Sequence, residues 1–321
     1  MELYSEAADR LAHWSKDTPD PKPLPAPESE RQAENEKIYL VHQGATDVWW
    51  EPGWSKFDGK AWEQDRKFSS WGLSVSDGFC LTPYKGKLYM FHRSTGSDAP
   101  SAVRCQSSRG VEWTKQASDI VVNTWSSWGM SAVTFKDKLY LFHHGVDEKK
   151  LNYNVFDGIS WAGDTTAPVP DVAWGLSAVA FEEKLYLFYR HYFRDDKTIQ
   201  YVVFDGSSWQ KQKDVPETCT TWGITAVVYH KRIHLMHCGY EKREKIYHNS
   251  FDGSTWEGEK LIEDCEVANN LSSVVHDDNI SMFYKGANSS DMYRQIFDGK
   301  VWAKERLERV STQDGIAAVV Y

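Results

Sequence analysis

The sequence predicts an all-β fold, a six-bladed β-propeller with four antiparallel strands per blade, and three observations carry that expectation. The first is local. Residues 174–209, WGLSAVAFEEKLYLFYRHYFRDDKTIQYVVFDGSSW, alternate apolar runs rich in Val, Leu, Tyr and Phe with short turns, the pattern of an antiparallel meander. The second is repetition. The second run of this unit begins again at Ile38, Leu88, Leu139, Leu185, Ile233 and Ile280, in steps of 46 to 51 residues, the period of a four-stranded blade that needs neighbours to bury both faces. The third is closure. The first blade lacks its first run, and TQDGIAAVVY (312–321) aligns without a gap with TTWGITAVVY (220–229). The C-terminal strand is therefore expected to pair with the N-terminal blade, which removes two exposed sheet edges.

Each element follows in chain order. Residues 1–36 read as an extension. Leu3, Ala7, Leu11 and Trp14 mark one side of a short amphipathic helix over 1–16, and five prolines within 17–32 preclude regular structure. Two readings stand for this extension, a disordered tail or a segment covering one opening of the ring. Residues 37–321 are the propeller. Within a blade, strands a to d run from innermost to outermost. Phe-Asp-Gly closes strand c at Phe57, Phe156, Phe204, Phe251 and Phe297, followed by Trp62, Trp161, Trp209, Trp256 and Trp302. The Asp is expected to bond the turn and not to act as an acid. In the second blade the turn is reduced to Ser108-Arg109-Gly110 ahead of Trp113.

Composition narrows the function. The chain of 321 residues carries a formal net charge of −9 and shows no basic stripe, which argues against nucleic acid as a partner. Five cysteines lack metal-ligand spacing and read as reduced thiols of a cytoplasmic protein. No run of eighteen apolar residues predicts a membrane span, and the N-terminus lacks a signal-peptide core. A homo-oligomer is compatible with the sequence. Serine-hydrolase elbows, phosphate-binding loops, HExxH and CxxC are absent.

Site chemistry is expected at the end of the ring where d-to-a and b-to-c connections lie, because the other end consists of tight turns. There Trp-Gly precedes strand a at Trp71, Trp128, Trp174 and Trp222, with Asn269 and Asp314 at the matching positions of the other two blades. Strand b ends at His42-Gln43, His92-Arg93, His143-His144, Tyr189-Arg190, His237-Cys238 and Tyr284-Lys285, and Phe193 lies in a following loop. Two readings compete. The Trp residues are either wedges between blades or walls of a pocket, and the strand-end His column is either scaffold or proton-transfer machinery. On the functional reading Arg93, His143, His144 and Arg190 do polar work. Trp71, Trp128, Trp174, Trp222, Tyr189, Phe193, Asn269 and Asp314 then bind substrate.

Six blades with a Tyr-rich strand b and an Asp-Gly turn after strand c resemble the fungal fucose-specific lectins over residues 37–321. The resemblance implies sugar sites between blades, with an Arg at the second position of strand b and a Glu midway along strand c. Those positions hold Tyr39, Tyr89, Tyr140, Tyr186, His234 and Ser281, and Trp54, Cys105, Tyr153, Tyr201, His248 and Arg294. Neither member of the charged grip is kept in any blade. In overall character the chain also resembles the fungal hetero-Diels–Alderases of tropolone-sesquiterpenoid biosynthesis. That resemblance implies dehydration of a tropolone-type precursor to a quinone methide, stereoselective cycloaddition with a humulene-type terpenoid polyene, and no metal or organic cofactor. The alternative is a binding protein with an altered sugar site.

Overall fold

The structure is a computed structural model that describes residues 36–44, 52–68, 78–93, 101–109, 119–127, 129–146, 150–169, 171–192, 194, 197–242 and 244–321. The helix and Pro-rich connector expected within 1–36 lie outside the described residues. Residues Lys37–Tyr321 form one compact unit.

Blade 1 contains β1 (Ile38–Gly44), β2 (Pro52–Phe57) and β3 (Arg66–Lys67), and blade 2 contains β4 (Phe79–Tyr84), β5 (Lys87–Arg93), β6 (Ala102–Ser108) and β7 (Asp119–Trp125). Blade 3 contains β8 (Met130–Phe135), β9 (Lys138–His144), β10 (Leu151–Phe156) and β11 (Thr165–Thr166). Blade 4 follows with β12 (Val172–Phe181), β13 (Lys184–His191), β14 (Thr198–Phe204) and β15 (Lys213–Cys219). Blade 5 has β16 (Ile224–Tyr229), β17 (Arg232–Cys238), β18 (Ile246–Phe251) and β19 (Lys260–Ile262). Blade 6 has β20 (Val267–His276), β21 (Asn279–Gly286), β22 (Asp291–Phe297) and the first half of β23 (Trp302–Val320). Blades 2 to 5 are separate four-stranded antiparallel sheets, whereas β23 joins blades 6 and 1 into one seven-stranded sheet.

That junction is the expected closure. The first half of β23 pairs with β22, from Phe297 opposite Trp302 to Asp291 opposite Ser311, and the second half pairs with β1, from Ile38 opposite Val320 to His42 opposite Ile316. Lys37 and Tyr321 exchange both main-chain hydrogen bonds, at 3.2 and 3.0 Å. Thr312 Oγ1 donates to the Gln43 carbonyl at 2.7 Å. The innermost strand of blade 1 thus comes from the other end of the chain.

Turn chemistry sets the blade register. The a-to-b turns place both central residues in the left-handed region at Lys85-Gly86, Lys136-Asp137, Glu182-Glu183, His230-Lys231 and Asp277-Asp278, the geometry whose twist matches a two-residue hairpin. In the Phe-Asp-Gly turns the Asp accepts from two main-chain N–H groups, for example Asp157 Oδ1 from Ile159 at 2.7 Å and from Ser160 at 2.8 Å. Those bonds hold the Asp carboxyls low, Asp252 at about 2, so the expected structural role of this Asp stands.

The same hairpin supplies the wedge between blades. Its Phe and Trp form a bridge and pack ring on ring, with centroids 4.8 Å apart and planes tilted by 32° for Phe204 and Trp209. The pair then packs on strands b and c of the preceding blade: Trp209 meets Phe142 at 6.2 Å and Tyr153 at 5.7 Å. Trp256 meets Phe188 and Tyr201 in the same way.

A cup at the centre of the ring as the candidate functional site

Six apolar side chains, one per blade, converge where the strands a begin: Phe79, Met130, Leu176, Ile224, Leu271 and Ile316. Each is opposite the strand-b residue that the sequence reading singled out, namely His92, His143, Tyr189, His237, Tyr284 and His42 in that order. The six ring residues keep 5–8% exposure and line a cavity of about 200 Å³. Trp222, Asn269, Asn270, Asp314 and five glycines complete its lining among the described residues. The amide and carboxylate side chains fall on two adjacent blades, 6 and 1, where Asn270 Nδ2 donates to Asp314 Oδ1 at 2.6 Å. An apolar ring with one polar sector is suited to a ligand with a hydrocarbon body and oxygen substituents on one side.

The Gly of Trp-Gly is explained by the approach of neighbouring blades. A Cβ on Gly175, whose φ is +86°, would lie 2.2 Å from the Trp222 carbonyl oxygen, and one on Gly223 would lie 2.5 Å from that of Asn269. Only main chain without a side chain fits there.

Of the residues expected to bind substrate, Trp222, Asn269 and Asp314 do line the cup. Trp71, Trp128 and Phe193 lie outside the described residues, as does the side chain of Trp174. The alignment of blade 2 requires a correction. Its strand a starts at Phe79, and Gly78 and Phe79 occupy the cup positions that Gly129 and Met130 hold in blade 3. The residue preceding that Gly in sequence is Asp77, so Trp71 is not the counterpart of Trp222. Tyr189 stands behind the wall. It is fully buried in the core between blades 3 and 4, and burial raises the pKa of its phenol.

The residues expected to do polar work lie in the wall as well. His143 is fully buried, with Nδ1 3.3 Å from the His144 carbonyl and Nε2 3.1 Å from Asp164 Oδ1. The same clamp recurs in blade 1, where His42 Nε2 is 3.0 Å from Asp65, and in blade 5, where His237 Nε2 is 3.0 Å from Glu259. A residue set beside a carboxylate at the entry to the outer strand in three blades, and hydrogen-bonded to it in blades 1 and 3, fits the scaffold reading. In blades 2 and 5 the second residue of the strand end reaches the following blade. Arg93 Nη1 donates to the Ser127 carbonyl at 2.9 Å, and Cys238 Sγ donates to the Asn269 carbonyl at 3.2 Å. His144 is 1% exposed, and burial together with His143 pushes its pKa down to about 3. Arg190 is 6% exposed, with its pKa lowered by burial and sustained by the phenols of Tyr192 and Tyr240. None of these four lines the cup cavity.

The cup residues that sequence reasoning missed are the six apolar ones and Asn270. Their signal is positional, since each apolar residue follows the Gly, or in blade 6 the Asn, that opens strand a.

All five cysteines are free. Among the described residues, no cluster of three or more His, Cys, Asp or Glu side chains is placed to hold a metal ion, and no helix is long and apolar enough to cross a membrane.

No protein-family model matches the sequence, and no curated protein matches it. Solved structures do. The fucose-specific lectin of Aleuria aurantia superposes with a TM-score of 0.64 at 12% identity, over 87% of this chain and 94% of that one. A mutant of AofleA from Arthrobotrys oligospora gives 0.61 at 12% identity, over 84% and 82%. SapL1 lectin in complex with α-methyl fucoside gives 0.54 at 15% identity, over 73% and 83%. The chain has the six-bladed fold of these fucose-specific lectins.

Proposed function

We propose that the cup is the active site of a cytoplasmic, cofactor-independent hetero-Diels–Alderase that takes a tropolone-type and a terpenoid substrate. The reading rests on one observation, the convergence of six apolar side chains on a cavity whose polar side chains among the described residues are Asn269, Asn270 and Asp314 beside the indole of Trp222. A polyene has no polar handle, so only a shaped apolar wall orients it, and holding two reactants in register supplies much of the acceleration. On the oxygenated partner, Asp314 takes the proton of the ring hydroxyl and passes it to the departing carbinol oxygen as that C–O bond breaks, so that water leaves, Asp314 is again a carboxylate and a quinone methide remains. The amides of Asn269 and Asn270 donate to its carbonyl oxygen and make it more electron-poor. Cycloaddition then forms one C–C and one C–O bond across an alkene of the polyene.

The test is incubation of the purified chain with a hydroxymethyl tropolone precursor and a humulene-type polyene, followed by chiral chromatography. One dominant stereoisomer, lost in Asp314→Asn, is the expected result. A racemic product formed at the uncatalysed rate would end this reading.

A carbohydrate-binding function is the second reading, favoured by the likeness of fold to lectins over 84–87% of the chain. A glycan array separates the two, since selective capture of one sugar together with racemic adducts would favour the lectin.

A further inference from the structure

A second cavity, larger than the cup, lies away from it. It lies between blades 5 and 6, measures about 690 Å³, and has two unlike walls. The blade 5 wall presents His234, His248 and Lys260 from three successive strands, with Lys260 directly opposite His248 in the β18–β19 register. The blade 6 wall presents Phe297 and Trp302, stacked at 4.8 Å. At the corresponding places in blades 3 and 4 the two strand positions hold Tyr140 with Tyr153 and Tyr186 with Tyr201, and both pairs are packed against the incoming Phe and Trp.

Charge distinguishes the cleft further. Arg232, Lys260, Lys300 and Lys304 line it against Glu257, Glu263 and Asp264, so it is locally positive in a chain of net charge −9. His234 Nδ1 and His248 Nε2 share a hydrogen bond of 2.9 Å between nearly coplanar rings 12° apart. Both imidazoles are held neutral by burial, with pKa values pushed down to about 4 and about 3. Arg232 is already engaged by Glu257 at 3.0 Å, while Lys260, 69% exposed, is 3.6 Å from the same carboxylate and can turn.

We infer that the cleft between blades 5 and 6 binds a planar carboxylate, whose ring lies on Trp302 and Phe297 and whose carboxylate meets Lys260 and the His234–His248 pair. An aromatic wall facing a cationic one selects a flat anion, because the ring recovers apolar contact while the charge-assisted bonds form at the opposite edge.

The experiment is NMR titration of the full chain near neutral pH, with the imidazole resonances assigned from His234→Phe and His248→Phe. Benzoate is the probe, with benzyl alcohol and α-methyl-L-fucoside as neutral comparisons. Benzoate is expected to move the His234 and His248 resonances, with neither comparison doing so, and Lys260→Gln is expected to weaken binding about tenfold. The native imidazole spectrum reports that each variant is folded. Unmoved resonances, equal shifts with benzyl alcohol, or full affinity in Lys260→Gln would each overturn the inference, and shifts with the fucoside alone would assign the cleft to a sugar. Cup variants such as Asp314→Asn leave this titration unchanged, so its outcome is separate from that of the cycloaddition assay.

Discussion

The interfaces on either side of blade 5 are built on one plan and filled differently. On the blade 4 side, Tyr186 and Tyr201 lie 6.2 Å apart and meet Phe251 and Trp256 at 6.0–6.2 Å, so four aromatic rings close the gap. On the blade 6 side the incoming pair is the same, Phe297 and Trp302, but His234 and His248 stand where the tyrosines would be, and a cavity remains. The Phe-Asp-Gly hairpin with its Trp is thus the constant wedge, and strands b and c of the preceding blade are the variable wall. Blade 6 carries the change further, with Ser281 and Arg294 at those positions and Arg294 over the Phe57 ring at 4.6 Å. The first interfaces spend their inter-blade surface on packing, and the last two keep polar side chains in it.

The largest effect breaks both interfaces together. Deleting Ile316–Tyr321 removes the partner of β1 and reopens the ring. We expect loss of the whole cooperative transition, about 5–15 kcal/mol for a domain, and circular dichroism melting of the truncated chain checks it. A native melting curve would refute closure by β23. A smaller effect separates the interfaces. Trp256→Ala, in the filled one, is expected to cost about 3 kcal/mol, whereas Trp302→Ala, beside an existing cavity, costs about half that. Urea midpoints of the two variants measure the difference, and equal costs would show that the cavity does not loosen the wedge.

Acid discriminates next. His234 and His248 have folded pKa values of about 4 and about 3, lowered first by burial, against about 6.5 in the unfolded chain. Both states are neutral above about pH 6.5, so stability is full there. As pH falls below that value the unfolded chain binds protons first, and stability is lost progressively towards the folded values. By about pH 5 the loss is on the order of 2 kcal/mol for each buried imidazole. His92 and His144 act with the same sign in other blades. Urea unfolding at neutral pH and at about pH 5 measures the sum.

The repeat was readable because turns demand particular residues. Phe-Asp-Gly needs a carboxylate for two N–H groups and a Gly at positive φ, +102° at Gly206. No other residue pair substitutes easily, so five copies stand out. The site was harder to read. Trp71-Gly72 mimics the opening of strand a, but the structure starts that strand at Phe79, and the sign of the displacement is spacing alone, since Trp71 precedes Leu88 by 17 residues where Trp128, Trp174 and Trp222 precede Leu139, Leu185 and Ile233 by 11. The His column looked chemical since its residue type recurs at strand ends. Its partners, Asp65, Asp164 and Glu259, lie 21 to 23 residues downstream and are joined to it only by the fold of the blade. The polar sector at Asn269 and Asp314 was legible, as departures from Trp that the scaffold does not require.

The smallest effect would convert one interface into the other. His234→Tyr with His248→Tyr gives blade 5 the wall that blade 4 has in Tyr186 and Tyr201. Two phenol rings fill more of the cleft than two imidazoles and carry no charge as the pH falls, so the neutral-pH gain is about 1 kcal/mol, roughly 2 °C in melting temperature for a domain of this size. The gain grows on acidification, because the variant no longer loses the share of stability tied to those two imidazoles. It also removes the seat for benzoate. A double variant that melts like the parent at neutral pH and at about pH 5 would mean that the imidazole pair does not control this interface, and that the cavity is set by the loops around it.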